Sequence, residues 1–299
     1  MGTPDYAWVI LEHLFKQKDI DIVAVFTQPD KPVGRKQILT PTYVKKMLLK
    51  NSFDVEIFQP LTLKDKNIIS AIKELKPDFI VVAAYGQILP SQILNIAPCI
   101  NLHASLLPKY RGASPIQTAI LEKEKYSGVT AMLMSEGLDA GDILGYQFVQ
   151  IKKEMMVSEL FDELSYAASS LIVDILREYE NINPIKQFDC DSTYAKKIKK
   201  IDGEVDFDDA DELYIKFRAY TPWPGIFLKN GLKLKKISIS TDNIVAKARE
   251  IIDINEKSIT VSCKKGAILI GKVQPNSKKE MNAKEYIVGK RLKVGDTFF

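Results

Sequence analysis

Residues 79–85, FIVVAAY, form an apolar run without a polar face. A strand that shows water to neither side belongs inside a parallel sheet with helices packed on both faces. Parallel neighbours need long crossovers, and these are usually helical. The flanking sequence supplies them. Residues 5–17 place Ala7, Ile10, Leu11 and Leu14 at helical spacing, and residues 45–49 and 68–75 also read as helices, the last stopping before Pro77. IVAVF at 22–26 is a second short β-branched run, closed by Thr27-Gln28-Pro29-Asp30. The alternation predicts βαβ units and a doubly wound, mostly parallel α/β sheet of Rossmann-like type. Residues 129–135 and 143–151 lie closer together, across the turn EGLDAGD, and read as strands at the sheet's edge. An amphipathic helix is expected over 158–179.

After Asn181-Ile182-Asn183-Pro184 the texture changes. A polar stretch with acidic residues at 202–211 leads to a short helix near 213–219, then TPWPG at 221–225, then LKLKKISIS, KSITVSC and AILIGKV. Short runs between turns fit a small antiparallel barrel, OB-like in size. At 299 residues the chain fits two domains. We expect a first domain over 1–190, a linker over 191–205 and the barrel over 206–299. Residues 186–299 carry 23 basic and 16 acidic side chains, against 19 and 22 in residues 1–185. A basic second half fits a polyanionic partner, although a solvated lysine-rich surface explains the charge alone at least as well. Three cysteines, Cys99, Cys190 and Cys263, stand far apart with no paired spacing, which speaks against a disulfide framework or a zinc site. They are expected to be reduced and mostly buried. No apolar run reaches membrane-spanning length, and residues 1–10 lack the features of a secretory leader, so a cytoplasmic protein is expected.

The chemistry concentrates in CINLHASLLPKYRGASPI at 99–116. Asn101 and His103 are two apart on a strand-like run, so their side chains share a face while Ile100 and Leu102 take the other. An amide and an imidazole thus emerge near a strand's C-terminal end, where open α/β sheets place their ligands. Only one other histidine exists, His13, and it falls off the apolar stripe of its helix and reads as exposed. A lone histidine is more often structural than catalytic. The neighbouring Asn101, the Pro-terminated turn and Gly112 tilt His103 towards chemistry.

NLHASLLP resembles the strand and loop shared by the 10-formyltetrahydrofolate-dependent formyltransferases. The resemblance implies that Asn101 and His103 are catalytic and that Ser105, Leu106, Leu107 and Pro108 line the folate site. The family's catalytic Asp matches Asp139 in Gly137-Leu138-Asp139-Ala140-Gly141, with Asp142 close enough to compete. Its pteridine-binding loop matches VVAAYGQILP at 81–90, implying contacts from Val82, Ala83, Tyr85, Gly86 and Ile88. Further segments, GTPDYA at 2–7, FTQPDKPVGRK at 26–36, TYAKKI at 193–198 and TPWPG, are similar to the members that formylate methionyl initiator tRNA. For those members the resemblance implies tRNA contacts from Lys31, Arg35 and Lys36, a catalytic first domain and a tRNA-binding second one.

The implied activity is transfer of a formyl group from 10-formyltetrahydrofolate to an amine. Its tetrahedral intermediate carries an oxyanion, which needs preorganised donors, and a proton must pass from the amine to the folate. No metal is called for, and a monomer is expected. A member acting on a small amine, such as an amino-sugar nucleotide, is the competing reading. A noncatalytic RNA-binding relative is a third, which an intact Asn101, His103 and Asp139 oppose. The family's first strand ends at the turn matched by Gly2-Thr3-Pro4, and strands typically run about five or six residues. Here Met1 directly precedes that turn, so a longer natural N-terminus and a gap in the middle of the sheet are expected.

Overall fold

A computed structural model describes residues 1–34, 36–240 and 246–299. Two compact units divide the chain. The first comprises Met1–Ala119, Lys125–Ile151 and Glu159–Lys196, and the second comprises Ile120–Glu124, Lys152–Ser158 and Lys197–Phe299.

The first unit is the α/β one. Its strands are β1 (Val25–Phe26), β2 (Lys31–Val33), β3 (Ile38–Thr40), β4 (Ile57–Phe58), β5 (Ile80–Val82), β6 (Cys99–His103), β7 (Arg111–Gly112), β8 (Tyr126–Leu133), β9 (Ile143–Gln150) and β10 (Tyr194–Ala195). Between them run α1 (Asp5–Phe15), α2 (Tyr43–Lys50), α3 (Lys66–Glu74), α4 (Ser91–Leu94), α5 (Pro115–Leu121) and α6 (Val157–Glu178). Strand β4 pairs parallel with β1, and β5 pairs parallel with β6. Strands β8 and β9 then extend the sheet antiparallel, at its edge as expected.

Met1 and Gly2 bridge the two parallel halves. Gly2 N donates to Phe26 O at 2.9 Å, Ala83 N donates to Met1 O at 2.9 Å, and the Met1 amino nitrogen donates to Val81 O at 2.6 Å. Only glycine fits at position 2, because a Cβ there would stand 2.4 Å from Ala7 Cβ and 2.9 Å from Ala83 O. Beside these residues lies a cavity of about 700 Å³, lined by Met1, Ile10, Leu14, Ile22, Val25 and Val81 among others. The run IVAVF was expected to be a strand throughout, yet among the described residues only Val25 and Phe26 pair, with Ile57 and Phe58.

Helix α6 shows how the core is built. Leu160, Leu164, Ala168, Leu171 and Ile175 recur every three or four residues, and all are buried. A fully buried leucine or isoleucine contributes about 1.5–3 kcal/mol. Phe26, Leu63, Ile72, Ile80, Val82, Tyr85, Ile93 and Cys99 belong to one apolar cluster of the core.

The second unit holds α7 (Ala210–Tyr220), β11 (Ile226–Phe227), β12 (Lys233–Ile239), β13 (Ile251–Ile254), β14 (Ile259–Ser262), β15 (Ala267–Gln274), β16 (Met281–Asn282) and α8 (Ala283–Gly289). Asp209 caps α7, its carboxylate accepting from Asp211 N and Glu212 N. The strands form an antiparallel sheet in the order β11-β12-β15-β14-β13, with β16 also on β15. Among the described residues no pairing joins β11 to β13, so the sheet-rich part is established and a closed barrel is not. No helix among the described residues is long and apolar enough to cross a membrane. Cys99 and Cys263 are buried thiols, but Cys190 is exposed, in the short turn Asp189–Asp191.

Candidate active site

Strand β6 carries the expected pair. Its burial alternates so that Ile100 and Leu102 lie in the core, and its pairing sets Asn101 opposite Val82 and Met132, and His103 opposite Thr130. Asn101 is half-buried, and its carboxamide has no hydrogen-bond partner among the described residues. It is a pair of donors and an acceptor left available to a ligand.

His103 is buried, bonded at one ring nitrogen and faced by a carboxylate at the other. Nε2 lies 2.9 Å from Tyr110 O. A carbonyl oxygen only accepts, so Nε2 carries the proton of that bond. Nδ1 faces Asp139 Oδ2 at 3.7 Å. That is beyond a good hydrogen bond, as catalytic contacts often are before substrate tightens them. The same Oδ2 accepts from Gly112 N at 2.8 Å. Asp139 therefore meets His103, whereas Asp142 is exposed and contributes its carbonyl to Leu133 N at 2.8 Å. The other histidine, His13, is half-buried on α1 rather than exposed.

The Ser105–Pro108 stretch follows β6, and its last peptide, Leu107–Pro108, is cis. Ser105 is buried, and its hydroxyl donates to Lys109 O at 2.6 Å. Leu107 packs with Met132 and Ile143, while Leu106 and Pro108 are half-buried. Two residues that sequence reasoning missed hold this stretch. Thr130 Oγ1 donates to Ser105 O at 2.6 Å and accepts from Leu107 N at 3.0 Å. Tyr146 OH donates to Leu107 O at 2.8 Å. Thr130→Val should therefore orphan a buried N–H and a buried carbonyl at about 1–3 kcal/mol each. A lowered denaturation midpoint with a raised KM for folate is the expected result, and an unchanged midpoint would contradict it.

On the neighbouring strand, Val82 and Ala83 are buried at the end of β5, Ala84 turns the chain at φ 46°, and Gly86 at φ 83°. Tyr85 is in the core, its hydroxyl without a partner and its carbonyl taking Thr3 Oγ1 and Gln28 Nε2. Ile88 is 88% exposed. The side chains of Val82, Tyr85 and Leu107 are thus committed to the protein interior.

Part of the 26–36 segment is strand rather than loop: β2 (Lys31–Val33) pairs antiparallel with β3 (Ile38–Thr40) as a hairpin, with all six strand residues exposed. Lys31 and Lys36 are exposed on it, and Arg35 lies outside the described residues. Its base is fixed by Asp30, whose carboxylate takes Lys45 Nζ at 2.8 Å and Gln59 Nε2 at 2.6 Å. These bonds hold the Asp30 carboxyl below the ordinary carboxylate range.

Comparison with known proteins places this geometry. Residues 2–176 match the Formyl transferase family, and residues 197–291 match Formyl transferase, C-terminal domain. A methionyl-tRNA formyltransferase of a Nitratiruptor species is 56% identical over 300 residues, covering 100% of this chain and 98% of that one. The methionyl-tRNA formyltransferase of Campylobacter fetus is 54% identical, with 100% and 98% covered. Among solved structures, an N-formyltransferase from Helicobacter canadensis, in complex with folinic acid and dTDP-3-aminofucose, shares the fold. Its TM-score is 0.64 at 20% identity, over 91% of this chain and 97% of that one. HypX from Aquifex aeolicus in complex with tetrahydrofolic acid gives 0.64 at 17% identity, over 91% and 48%. The fold likeness agrees with the sequence match over more than half of the chain and with identity above one half from end to end: the chain belongs to the formyl transferase family.

Proposed function

We infer that this protein transfers the formyl group of 10-formyltetrahydrofolate to the amino group of methionine carried by initiator tRNA. One observation carries the reading. Relatives that match it along its whole length at 50–56% identity are methionyl-tRNA formyltransferases. The sugar N-formyltransferases share the fold at far lower identity.

The amine nitrogen attacks the formyl carbon, and a tetrahedral oxyanion forms. The new C–N bond is kept, the bond from the formyl carbon to the folate nitrogen breaks, and the proton lost by the amine ends on that nitrogen. We assign Asn101 as a donor to the oxyanion, because its carboxamide is otherwise free. His103 is the second polar group at the reacting carbon, and Asp139 orients it and takes part in the proton transfer. Residues 82–88 and 105–108 form the folate-binding walls in this reading, with backbone atoms supplying polar contacts where side chains are buried.

Lys31, Arg35 and Lys36 contact the acceptor arm. An exposed hairpin fixed at its base supports this role, because it presents cations without packing them away. The second unit, an OB-like domain in this proposal, adds sequence-independent affinity through its surplus of lysines. Residues 1–190 then make the catalytic domain, 191–205 the linker and 206–299 the tRNA-binding domain, in a monomeric cytoplasmic enzyme.

The test is a formylation assay with labelled 10-formyltetrahydrofolate against initiator methionyl-tRNA, elongator methionyl-tRNA and a dTDP-amino sugar. Formylation of the sugar nucleotide in preference to the tRNA would overturn the reading. Arg35→Ala should raise KM for tRNA and reduce the salt dependence of binding by about one charge, with KM for folate unchanged. Wild-type kinetics across a tRNA titration would remove Arg35 from the interface.

A further inference from the structure

Arg111 heads the fully buried large side chains of the protein, at 1% exposure. A buried guanidinium is costly unless its donors are engaged. Nη1 bonds Asp189 Oδ1 at 2.8 Å, while Nε and Nη2 both reach Oε1 of Gln187, at 3.2 and 3.0 Å. The Asp189 side chain is 87% exposed, so the buried partner of the cation is a neutral amide. Two charge-assisted bonds on one oxygen fix which end of that amide is which. Its nitrogen therefore points away from Arg111, and donates to Asp139 O at 3.0 Å and Gly141 O at 2.7 Å. The amide's donors and acceptor are all in use.

The loop that Gln187 grips is one that needs holding. Asp139 sits at φ 49°, a left-handed conformation uncommon outside glycine. Such residues persist where their surroundings over-determine them. Gly141 is packed so closely that a Cβ would lie 1.7 Å from Leu133 O. The carboxylate end is held separately, by Gly112 N. Gly112 is fixed in turn by β7 pairing with β10, Arg111 to Tyr194 and Gly112 to Ala195. Residues 111 and 112 thus secure Asp139 twice, by a side chain acting through Gln187 on its backbone and by a backbone N–H on its carboxylate.

We propose that Gln187, oriented by Arg111, is a positioning residue that fixes the Asp139 carboxylate against His103 by gripping the backbone on both sides of Ala140. The proposal rests on the reading above that Asp139 acts with His103. Gln187 is buried, and its amide is spent on Arg111 and the Asp139–Gly141 backbone. It works through the 3.7 Å approach of Asp139 Oδ2 to His103 Nδ1, which a small loop shift would lengthen.

The experiment uses the full chain with initiator methionyl-tRNA and 10-formyltetrahydrofolate. Gln187→Glu keeps the acceptor for Arg111 and removes both donors, setting an oxygen against two carbonyls. Gln187→Met is similar in length and uncharged, and it carries the test should Gln187→Glu fail to fold. Each is made alone and in an Asp139→Asn background, and kcat, both KM values and the thermal midpoint are measured. Alone, each should lower kcat about 100-fold, as a misplacement of about 1 Å does, with both KM values within about twofold of wild type. In the Asp139→Asn background the same changes should add nothing, because residues acting as a unit are not additive. Equal losses in both backgrounds would assign Gln187 a general structural role and overturn the proposal. Wild-type kcat in the single variants would overturn it as well. Wild-type kcat in Asp139→Asn alone would instead overturn the underlying reading of Asp139.

Discussion

Asn101→Ala should lower kcat about 100- to 1,000-fold, the cost typical of removing one preorganised donor to an oxyanion, and His103→Ala about 100-fold or more, the range of a general acid–base contribution. At Asn101 the loss should fall on kcat and kcat/KM alike, because the interaction exists only once the formyl oxygen becomes charged. Neither change should unfold the protein. Asn101 is half-buried, and its carboxamide bonds nothing among the described residues, so truncation deletes no structural hydrogen bond. His103 gives up one bond, from Nε2 to Tyr110 O. The net worth of such a bond is about 0.5–1.5 kcal/mol. Steady-state kinetics at saturating folate and tRNA, with circular dichroism to confirm the fold, make the measurement. A kcat near wild type in either variant removes that residue from the mechanism.

What the sequence showed of this site follows from the range of the interactions. The Asn101–His103 pairing was legible because two-residue periodicity on a strand is a local property, and β6 obeys it. The long helix α6 was legible for the same reason, as were β8, β9 and the second unit's β12, β14 and β15. Strand β4 was not, because Ile57–Phe58 is too short to show a period and becomes a strand only by lying beside β1. Strand β13 and helix α8 escaped notice similarly, each being four to seven residues long. The supports of the site are hidden by chain distance. Thr130 meets Ser105 across 25 residues, Tyr146 meets Leu107 across 39, and Gln187 meets Asp139 across 48. No spacing rule connects such partners. Arg111 was quoted only as part of a motif, and its burial is intelligible only beside Gln187. The barrel expected for the second unit shows how far strand patterns reach: they gave the strands, and whether a sheet closes depends on stagger and tilt.

Asp139→Asn should lower kcat about 100-fold or more, the range of a general acid–base contribution, while Asp142→Asn should change stability and activity little. The two positions are three residues apart on one loop, which makes the contrast sharp. Asparagine preserves almost everything at position 139 except the charge. It tolerates the left-handed backbone that φ 49° demands, and its amide oxygen can still accept from Gly112 N, as Oδ2 does at 2.8 Å. The side chain is half-buried, and the volume is nearly unchanged. What disappears is a carboxylate facing His103 Nδ1 at 3.7 Å. An amide cannot accept and pass on a proton as a carboxylate does. Asp142 offers no such function, because its carboxylate is exposed and only its backbone carbonyl is used, by Leu133 N. Surface substitutions of that kind usually stay within about 0.5 kcal/mol. Both variants are to be assayed at the same substrate concentrations, with thermal midpoints measured alongside. Equal losses of kcat at the two positions would deny Asp139 its special place, and a loss confined to Asp142→Asn would reverse the assignment.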